Sequence, residues 1–204
     1  MKIICVGRNY AAHAKELNNA VEAEPVIFLK PETALLPGRQ PFFLPSFSQE
    51  IHYETELVVR INRVGKNIEE RFAHRYYDEI TVGIDFTARD LQQRLKNKGL
   101  PWELAKGFDG SAPLGDFIKL SELGKDVSNL TFNMELNGVN CQIGNTADMI
   151  FSVDRIIAFV SKHFTLKIGD LIFTGTPEGV GAVKAGDEIV AKLEGEKLLT
   201  VKVR

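Results

Sequence analysis

The sequence predicts a mainly β protein with a few helices, and three observations lead there. Runs rich in Val, Ile, Leu and Phe recur at 2–6, 26–29, 51–61, 80–86, 130–136, 171–174, 188–193 and 198–203, with the length and branching of strands. Turn signals separate them. Helical periodicity is confined to a few short segments.

The first two runs flank a polar, alanine-rich stretch in which 10–18 is a short helix candidate. Segment 87–98 places Leu91 and Leu95 at i, i+4, and Gly99 then Pro101 stop it as a helix. Asn137-Gly138 signals a type I′ hairpin, because both central residues of that turn need positive φ. Segment 152–163 carries Ile156, Ile157, Phe159 and Val160 on an apolar helical face behind Ser152 as N-cap. Arg155 follows three residues later, so no capping box forms. Gly169-Asp170 and Gly186-Asp187 read as turns entering strands, and Gly195-Glu196 as the close of the last hairpin. No repeat, low-complexity linker or composition break interrupts the chain, so one domain over 1–204 is expected.

The 204 residues are 44% hydrophobic and 25% charged with a net charge of -2, enough for one domain with a real core. Near-neutral charge gives no electrostatic case for nucleic acid or an acidic membrane as partner. Lys96-Asn97-Lys98 reads as a solvated helix end. Of the two cysteines, Cys5 sits in an apolar run as a small core hydrophobe. Pairing with Cys141 is left open, and no Cys-x-x-Cys motif is present. No apolar run reaches membrane-spanning length, and the N-terminal run is too short for a signal core. A reducing cytoplasm is the expected compartment.

The residues with most chemical content are Glu54 and Glu56. Alternation along a strand points both to one side, where two carboxylates repel each other unless a cation lies between them. Asp85 ends another apolar run. Three carboxylates without a thiolate make a hard oxygen set suited to Mg²⁺ or Mn²⁺. A solvated strand face also carries Glu at alternate positions, so the pair alone leaves both readings standing.

His13 and Glu16 share a helical face at i, i+3, where a carboxylate can orient an imidazole as a general base; a surface helix gives the same pattern. Lys106, between an apolar stretch and a glycine-rich turn, is either an oxyanion stabiliser or a solvated loop lysine. The run Thr174-Gly175-Thr176-Pro177-Glu178-Gly179-Val180-Gly181 lacks the phosphate-loop and dinucleotide patterns. It reads either as a loop whose N–H groups a substrate can approach or as a structural turn. No serine-nucleophile or zinc motif is present.

Taken in order, several segments resemble the fumarylacetoacetate hydrolase superfamily. They are Cys5-Val6-Gly7-Arg8-Asn9-Tyr10-Ala11-Ala12-His13, Pro25-Val26-Ile27-Phe28-Leu29-Lys30-Pro31, His52-Tyr53-Glu54-Thr55-Glu56-Leu57 and Asp85-Phe86-Thr87-Ala88-Arg89-Asp90-Leu91-Gln92. Lys98-Gly99-Leu100-Pro101-Trp102, Ala105-Lys106 and the run 174–181 complete the series. The match covers essentially the whole chain and is closest in kind to the short acylpyruvase, oxaloacetate-decarboxylase and fumarylpyruvate-hydrolase members. The resemblance implies a mixed β-sandwich roll, a homodimer, and Mg²⁺ or Mn²⁺ bound by Glu54, Glu56 and Asp85. It implies Arg89, Gln92 and Thr176 around the substrate beside Lys106. His13 and Glu16 would form a catalytic dyad on a mobile lid over 9–24. One departure is Gly107, where related short members often carry serine.

The implied chemistry starts from a 2-oxo acid chelating the cation. Lewis-acid withdrawal and Lys106 would stabilise a pyruvate enolate. The first expectation is hydrolysis of a C–C bond in 2,4-diketo acids with release of pyruvate, His13 preparing the water. Oxaloacetate decarboxylation or isomerisation of a dienoic 2-hydroxy acid is the alternative, and a non-catalytic ligand-binding β protein a third.

Overall fold

The computed structural model describes residues 1–16, 22–38 and 40–204. Strands β1 (Ile3–Gly7), β2 (Val26–Lys30), β4 (Thr55–Ile61), β5 (Tyr77–Ile84), β7 (Ile118–Lys119) and β10 (Leu171–Phe173) form a six-stranded sheet in the order β2-β1-β10-β4-β5-β7. Only β1 and β10 pair parallel in it. A four-stranded antiparallel sheet runs β13-β12-β8-β9, from β8 (Thr131–Leu136), β9 (Val139–Asn145), β12 (Glu188–Leu193) and β13 (Glu196–Lys202). A small third sheet joins β3 (Ile51–Tyr53), β6 (Thr87–Ala88) and β11 (Gly181–Ala182).

Apolar residues cover both faces of the six-stranded sheet, which explains why its strands read as continuous apolar runs rather than alternations. Ile3, Cys5, Val58, Leu171 and Phe173 face one cluster with Ala34 and Ala112. Ile4, Val6, Leu57, Val59 and Ile172 face the larger core, shared with Phe132, Met134, Ile189 and the helix α5 (Val153–His163). Ser152 caps α5 by accepting the Arg155 amide at 3.2 Å. Both cysteines are free thiols.

Tight turns follow the expected chemistry. Asn137 and Gly138 have φ of 53° and 80°, as a type I′ turn between β8 and β9 demands. The last hairpin turns one residue earlier than expected, at Glu194-Gly195, and β13 begins at Glu196. Asp170 and Asp187 each accept the backbone amide three residues upstream, from Lys167 and Lys184, at 2.8 and 2.9 Å.

Three expectations are corrected. The run 51–61 is two strands, because β3 pairs with β6 and β11 while β4 pairs with β5 and β10. Glu54 is the joint. The helix expected from 87 begins at 89, as α2 (Arg89–Asn97), since Thr87 and Ala88 are bonded to β3. Lys106 is no loop residue: it ends the single-turn helix α3 (Glu103–Lys106). The expected helix over 10–18 is observed as α1 (Ala11–Glu16); residues 17 and 18 lie outside the described residues, as does 17–21 of the expected lid. The described start of that lid is anchored, with Asn9, Tyr10, His13 and Ala14 buried and Tyr10 edge-on to Phe132. Among the described residues no helix is long and apolar enough to cross a membrane.

Candidate metal centre and active site

The β4–β5 ladder ends with Thr55 opposite Ile84, and the Asp85 amide then donates to Glu54 O at 2.8 Å. Glu54 and Asp85 therefore meet where two sheets part. Glu56 lies two residues on. Thr55 between them is clamped on its backbone: its N–H donates to Gln142 Oε1 at 2.9 Å, and its carbonyl accepts the Thr176 hydroxyl at 2.8 Å. Gln142 Nε2 closes the ring on Thr176 Oγ1 at 2.9 Å. With the strand so fixed, oxygens of Glu54, Glu56 and Asp85 fall within 4.8 Å of one another, all buried.

Cations from separate elements surround this cluster. Lys106, 3% exposed, donates to Glu54 Oε2 and Asp85 Oδ2 at 2.7 Å each and to Thr87 Oγ1 at 2.6 Å. Those bonds engage all three ammonium protons. Arg89 reaches Glu54 Oε1 at 2.5 Å and Gln92 Oε1 at 2.6 Å. Lys30, at the end of β2, lies 2.7 Å from Asp85 Oδ1 but off the hydrogen-bonding direction, so no donor is aimed at that oxygen. The Lys30 protons go instead to Lys106 O and to Ser111, Oγ at 2.9 Å and O at 3.2 Å.

Burial alone would raise the Glu54 carboxyl, but Lys106 and Arg89 outweigh it and hold that group well below the usual range. Glu56 is the opposite case. Burial raises it well above its ordinary value, Asp85 and Glu54 raise it further, and the Gly175 amide at 2.7 Å opposes them only in part. Among the described residues Glu56 has no ion-pair partner. Burial would likewise depress Lys106, yet Asp85 and Glu54 hold it above its ordinary value.

This cluster fits a hard divalent cation. One carboxylate lacks a counter-charge, one buried oxygen lacks a donor, and every candidate ligand is an oxygen.

His13 and Glu16 lie on α1, with His13 Nδ1 3.0 Å from Glu16 Oε2. A carboxylate there selects the tautomer protonated on Nδ1 and leaves Nε2 with the lone pair a base needs. Glu16 Oε1 accepts the Gly179 amide at 3.0 Å. Gly179 is left-handed at φ 95°, and a Cβ on it would run into the Cys141 carbonyl. The glycine-rich loop thus spends two of its N–H groups on protein carboxylates, through Gly175 to Glu56 and Gly179 to Glu16, and not on an open approach for substrate.

One pocket gathers His13, Glu54, Glu56, Asp85, Arg89, Gln92, Lys106 and Thr176, with Val6, Phe28 and Trp102 among its apolar walls. All nine residues singled out from sequence come together, since Glu16 joins through His13. Thr176 lines the pocket, but its hydroxyl is engaged by Thr55 and Gln142. Lys96 belongs to the pocket too and is half-buried, not a solvated helix end. Sequence reasoning gave no role to Lys30, Ser111 or Gln142; each acts across a long chain separation that no local pattern records. At position 107 a Cβ would stand 2.9 Å from Pro31 Cδ and 3.0 Å from Glu103 O, so glycine fits this α3 where a side chain would press.

The chain matches the model of the fumarylacetoacetate (FAA) hydrolase C-terminal family over residues 2–204. It is 45% identical over 199 residues to oxaloacetate tautomerase YcgM of Escherichia coli K12, covering 98% of this chain and 91% of that one. Its fold superposes on fumarylpyruvate hydrolase from Pseudomonas aeruginosa, solved in complex with Mn²⁺ and pyruvate. That match has a TM-score of 0.93 and 38% identity over 100% of this chain and 89% of the other. The 2-hydroxyhepta-2,4-diene-1,7-dioate isomerase of Mycobacterium marinum matches with a TM-score of 0.85 and 37% identity, covering 99% and 73%. A shared architecture and a family match over nearly every residue lead to one assignment: the chain belongs to the fumarylacetoacetate hydrolase family.

Proposed function

We propose that this chain is a Mg²⁺- or Mn²⁺-dependent enzyme of 2-oxo acids that moves a proton at the carbon beside the oxo group. We take keto–enol tautomerisation of an oxaloacetate-like acid as the first reading, on the likeness to the oxaloacetate tautomerase of Escherichia coli. The observation that carries the reading is one pocket holding both a buried carboxylate triad and a carboxylate-oriented histidine. A cation held by Glu54, Glu56 and Asp85 would supply Lewis-acid polarisation of the 2-oxo group. Tautomerisation takes a proton from C3 or from the enol oxygen and delivers one to the other. His13, with its Nδ1 proton fixed on Glu16, accepts through Nε2 and returns it. Arg89 and Gln92 brace each other at the wall, while Phe28 and Trp102 keep the environment apolar, where electrostatic effects are stronger.

Hydrolysis of a C–C bond in acylpyruvates is the second reading, favoured by the likeness to a fumarylpyruvate hydrolase. There His13 Nε2 would activate a water against the distal carbonyl. Decarboxylation needs no such water. The deciding assay follows decay of oxaloacetate enol absorbance, and pyruvate release from acetylpyruvate, fumarylpyruvate and oxaloacetate, with and without Mg²⁺. Enol decay without pyruvate gives the tautomerase, pyruvate from acylpyruvates gives the hydrolase, and silence in every channel removes the reading.

A homodimer in the cytoplasm completes the proposal. Within the apolar segment 41–45, Phe42 is core, stacked on Phe86 at 4.0 Å, whereas Phe43 is 69% exposed and offers area to a second copy. Light scattering should return twice the chain mass at micromolar concentration, and a monomer would refute the dimer.

A further inference from the structure

His52 stands on β3, two residues before Glu54, and is not among the residues that line the pocket. Its imidazole is tied to the site through one side chain. His52 Nε2 lies 2.8 Å from Glu50 Oε1, and Arg89 Nε donates to His52 Nδ1 at 3.4 Å. A carboxylate only accepts, so the ring proton sits on Nε2 toward Glu50 and the lone pair stays on Nδ1. Arg89 requires that tautomer, because arginine offers donors and no acceptor. In the other one, two donors would face each other.

Arg89 is held at all three of its nitrogens. Nε meets His52, Nη1 donates to Gln92 Oε1 at 2.6 Å, and Nη2 donates to Glu54 Oε1 at 2.5 Å. The two Nη contacts alone would leave the planar guanidinium free to tilt about the line joining them. The third contact, at Nε, fixes the plane. Three of the five N–H donors are engaged in this way, and the other two sit on Nη1 and Nη2 of a residue that lines the pocket.

The segment around Glu50 grips the start of α2 as well. The Arg89 amide donates to Glu50 O at 2.8 Å. The Asp90 carboxylate accepts from Ser48 Oγ at 2.6 Å and from the Gln49 amide at 3.1 Å. Glu50 therefore holds Arg89 twice, by its carbonyl on the main chain and through His52 on the side chain. Along that chain of side chains, exposure falls from 49% at Glu50 to 16% at His52 and 7% at Glu54. Each bond inward lies in a lower dielectric, where its direction matters more.

We propose that His52 is a positioning residue. Its neutral imidazole, protonated on Nε2, sets the plane of Arg89 so that the guanidinium meets Glu54 and a bound 2-oxo acid together. It acts only through Arg89. The substrate half of this inference rests on the 2-oxo acid reading above.

The first test is made on the unaltered, full Mg²⁺-loaded chain. In long-range ¹H–¹⁵N spectra assigned through the backbone, the His52 ring should carry a proton on Nε2 and none on Nδ1 near neutral pH. A proton on Nδ1 overturns the inference and leaves the 2-oxo acid reading standing. The second test is calorimetry with pyruvate on the same loaded chain and on two variants. The amide of asparagine reaches about as far as Nδ1, and the longer glutamine about as far as Nε2. His52→Gln thus keeps a partner for Glu50 but takes the acceptor from Arg89, and should weaken pyruvate binding by about threefold to tenfold. His52→Asn keeps that acceptor and should stay within about twofold of wild type. Thermal melts verify folding, and the tautomer decides if neither variant folds. Equal losses in both variants reduce His52 to packing and overturn the inference, as does undiminished binding in both. Failure of the wild type to bind pyruvate overturns the 2-oxo acid reading and the inference with it.

Discussion

Glu54, Glu56 and Asp85 are held by groups from other elements, Lys106 on α3, Arg89 on α2, Lys30 on β2 and the Gly175 amide. His13 and Glu16 hold each other from within one helix of six residues, α1, and reach the rest of the site through Gly179. The floor is therefore a long-range electrostatic structure, whose position depends on two sheets meeting at Glu54. The base is a local one, set by helical spacing. On the function proposed above, the cation would sit where groups from several elements converge, and proton transfer would fall to one short element.

The largest break comes from the floor. Asp85→Asn should abolish activity and Mn²⁺ binding together, measured by turnover and by electron paramagnetic resonance of free Mn²⁺. Retained tight binding would remove Asp85 from the ligand set.

His13→Ala separates the two regions. Loss of a general base lowers turnover by about 10²–10⁴, while Mn²⁺ affinity should stay at the wild-type value. Run on acetylpyruvate and oxaloacetate under identical Mg²⁺, the variant should lose more on hydrolysis than on decarboxylation. Equal losses would end the water-activating role. Glu16→Gln keeps the shape but removes the charge that fixes the tautomer, and should cost about 10–100-fold, the size typical of a histidine's outer partner. Its pH–rate profile should shift along with the rate; a rate loss with an unmoved profile would make Glu16 a packing residue only.

The smallest effect sharpens the electrostatics. Glu56 is raised above its ordinary value of 4.5 by burial and by Asp85 and Glu54. Such a group binds its proton more tightly folded than unfolded, so the metal-free protein loses stability as pH climbs from the unfolded value through the folded one. Metal-free Glu56→Gln should therefore melt higher than wild type at about pH 8 and converge with it near about pH 4. Mg²⁺ should reverse the order at high pH by stabilising only the wild type. Coincident melting curves across the range would show that Glu56 carries no such strain.

Much of this site was legible because its signals are local. The Glu54–Glu56 alternation and the His13–Glu16 spacing are readable over a few residues, and the turn at Asn137-Gly138 states its own φ requirement. The break at Glu54 was not, because Ile51–Tyr53 and Thr55–Ile61 have the same strand composition and differ only in the strands they bond. Lys106 looked like a loop residue because its helix lasts a single turn, too short for periodicity. Neither Lys30 nor Gln142 carries a local sign of its role: a lysine closing an apolar strand and a glutamine in a polar hairpin acquire their roles only from partners dozens of residues away.

The glycine-rich loop has a consequence for how this sequence can vary. Gly175 and Gly179 stand four residues apart, and their amides grip Glu56 and Glu16. The intervening chain length thus acts as a gauge between floor and base. Many replacements within that span should pass, provided the two glycines and Thr176 remain. A single-residue insertion or deletion there would pull one carboxylate out of register with the other while altering no side chain of the site.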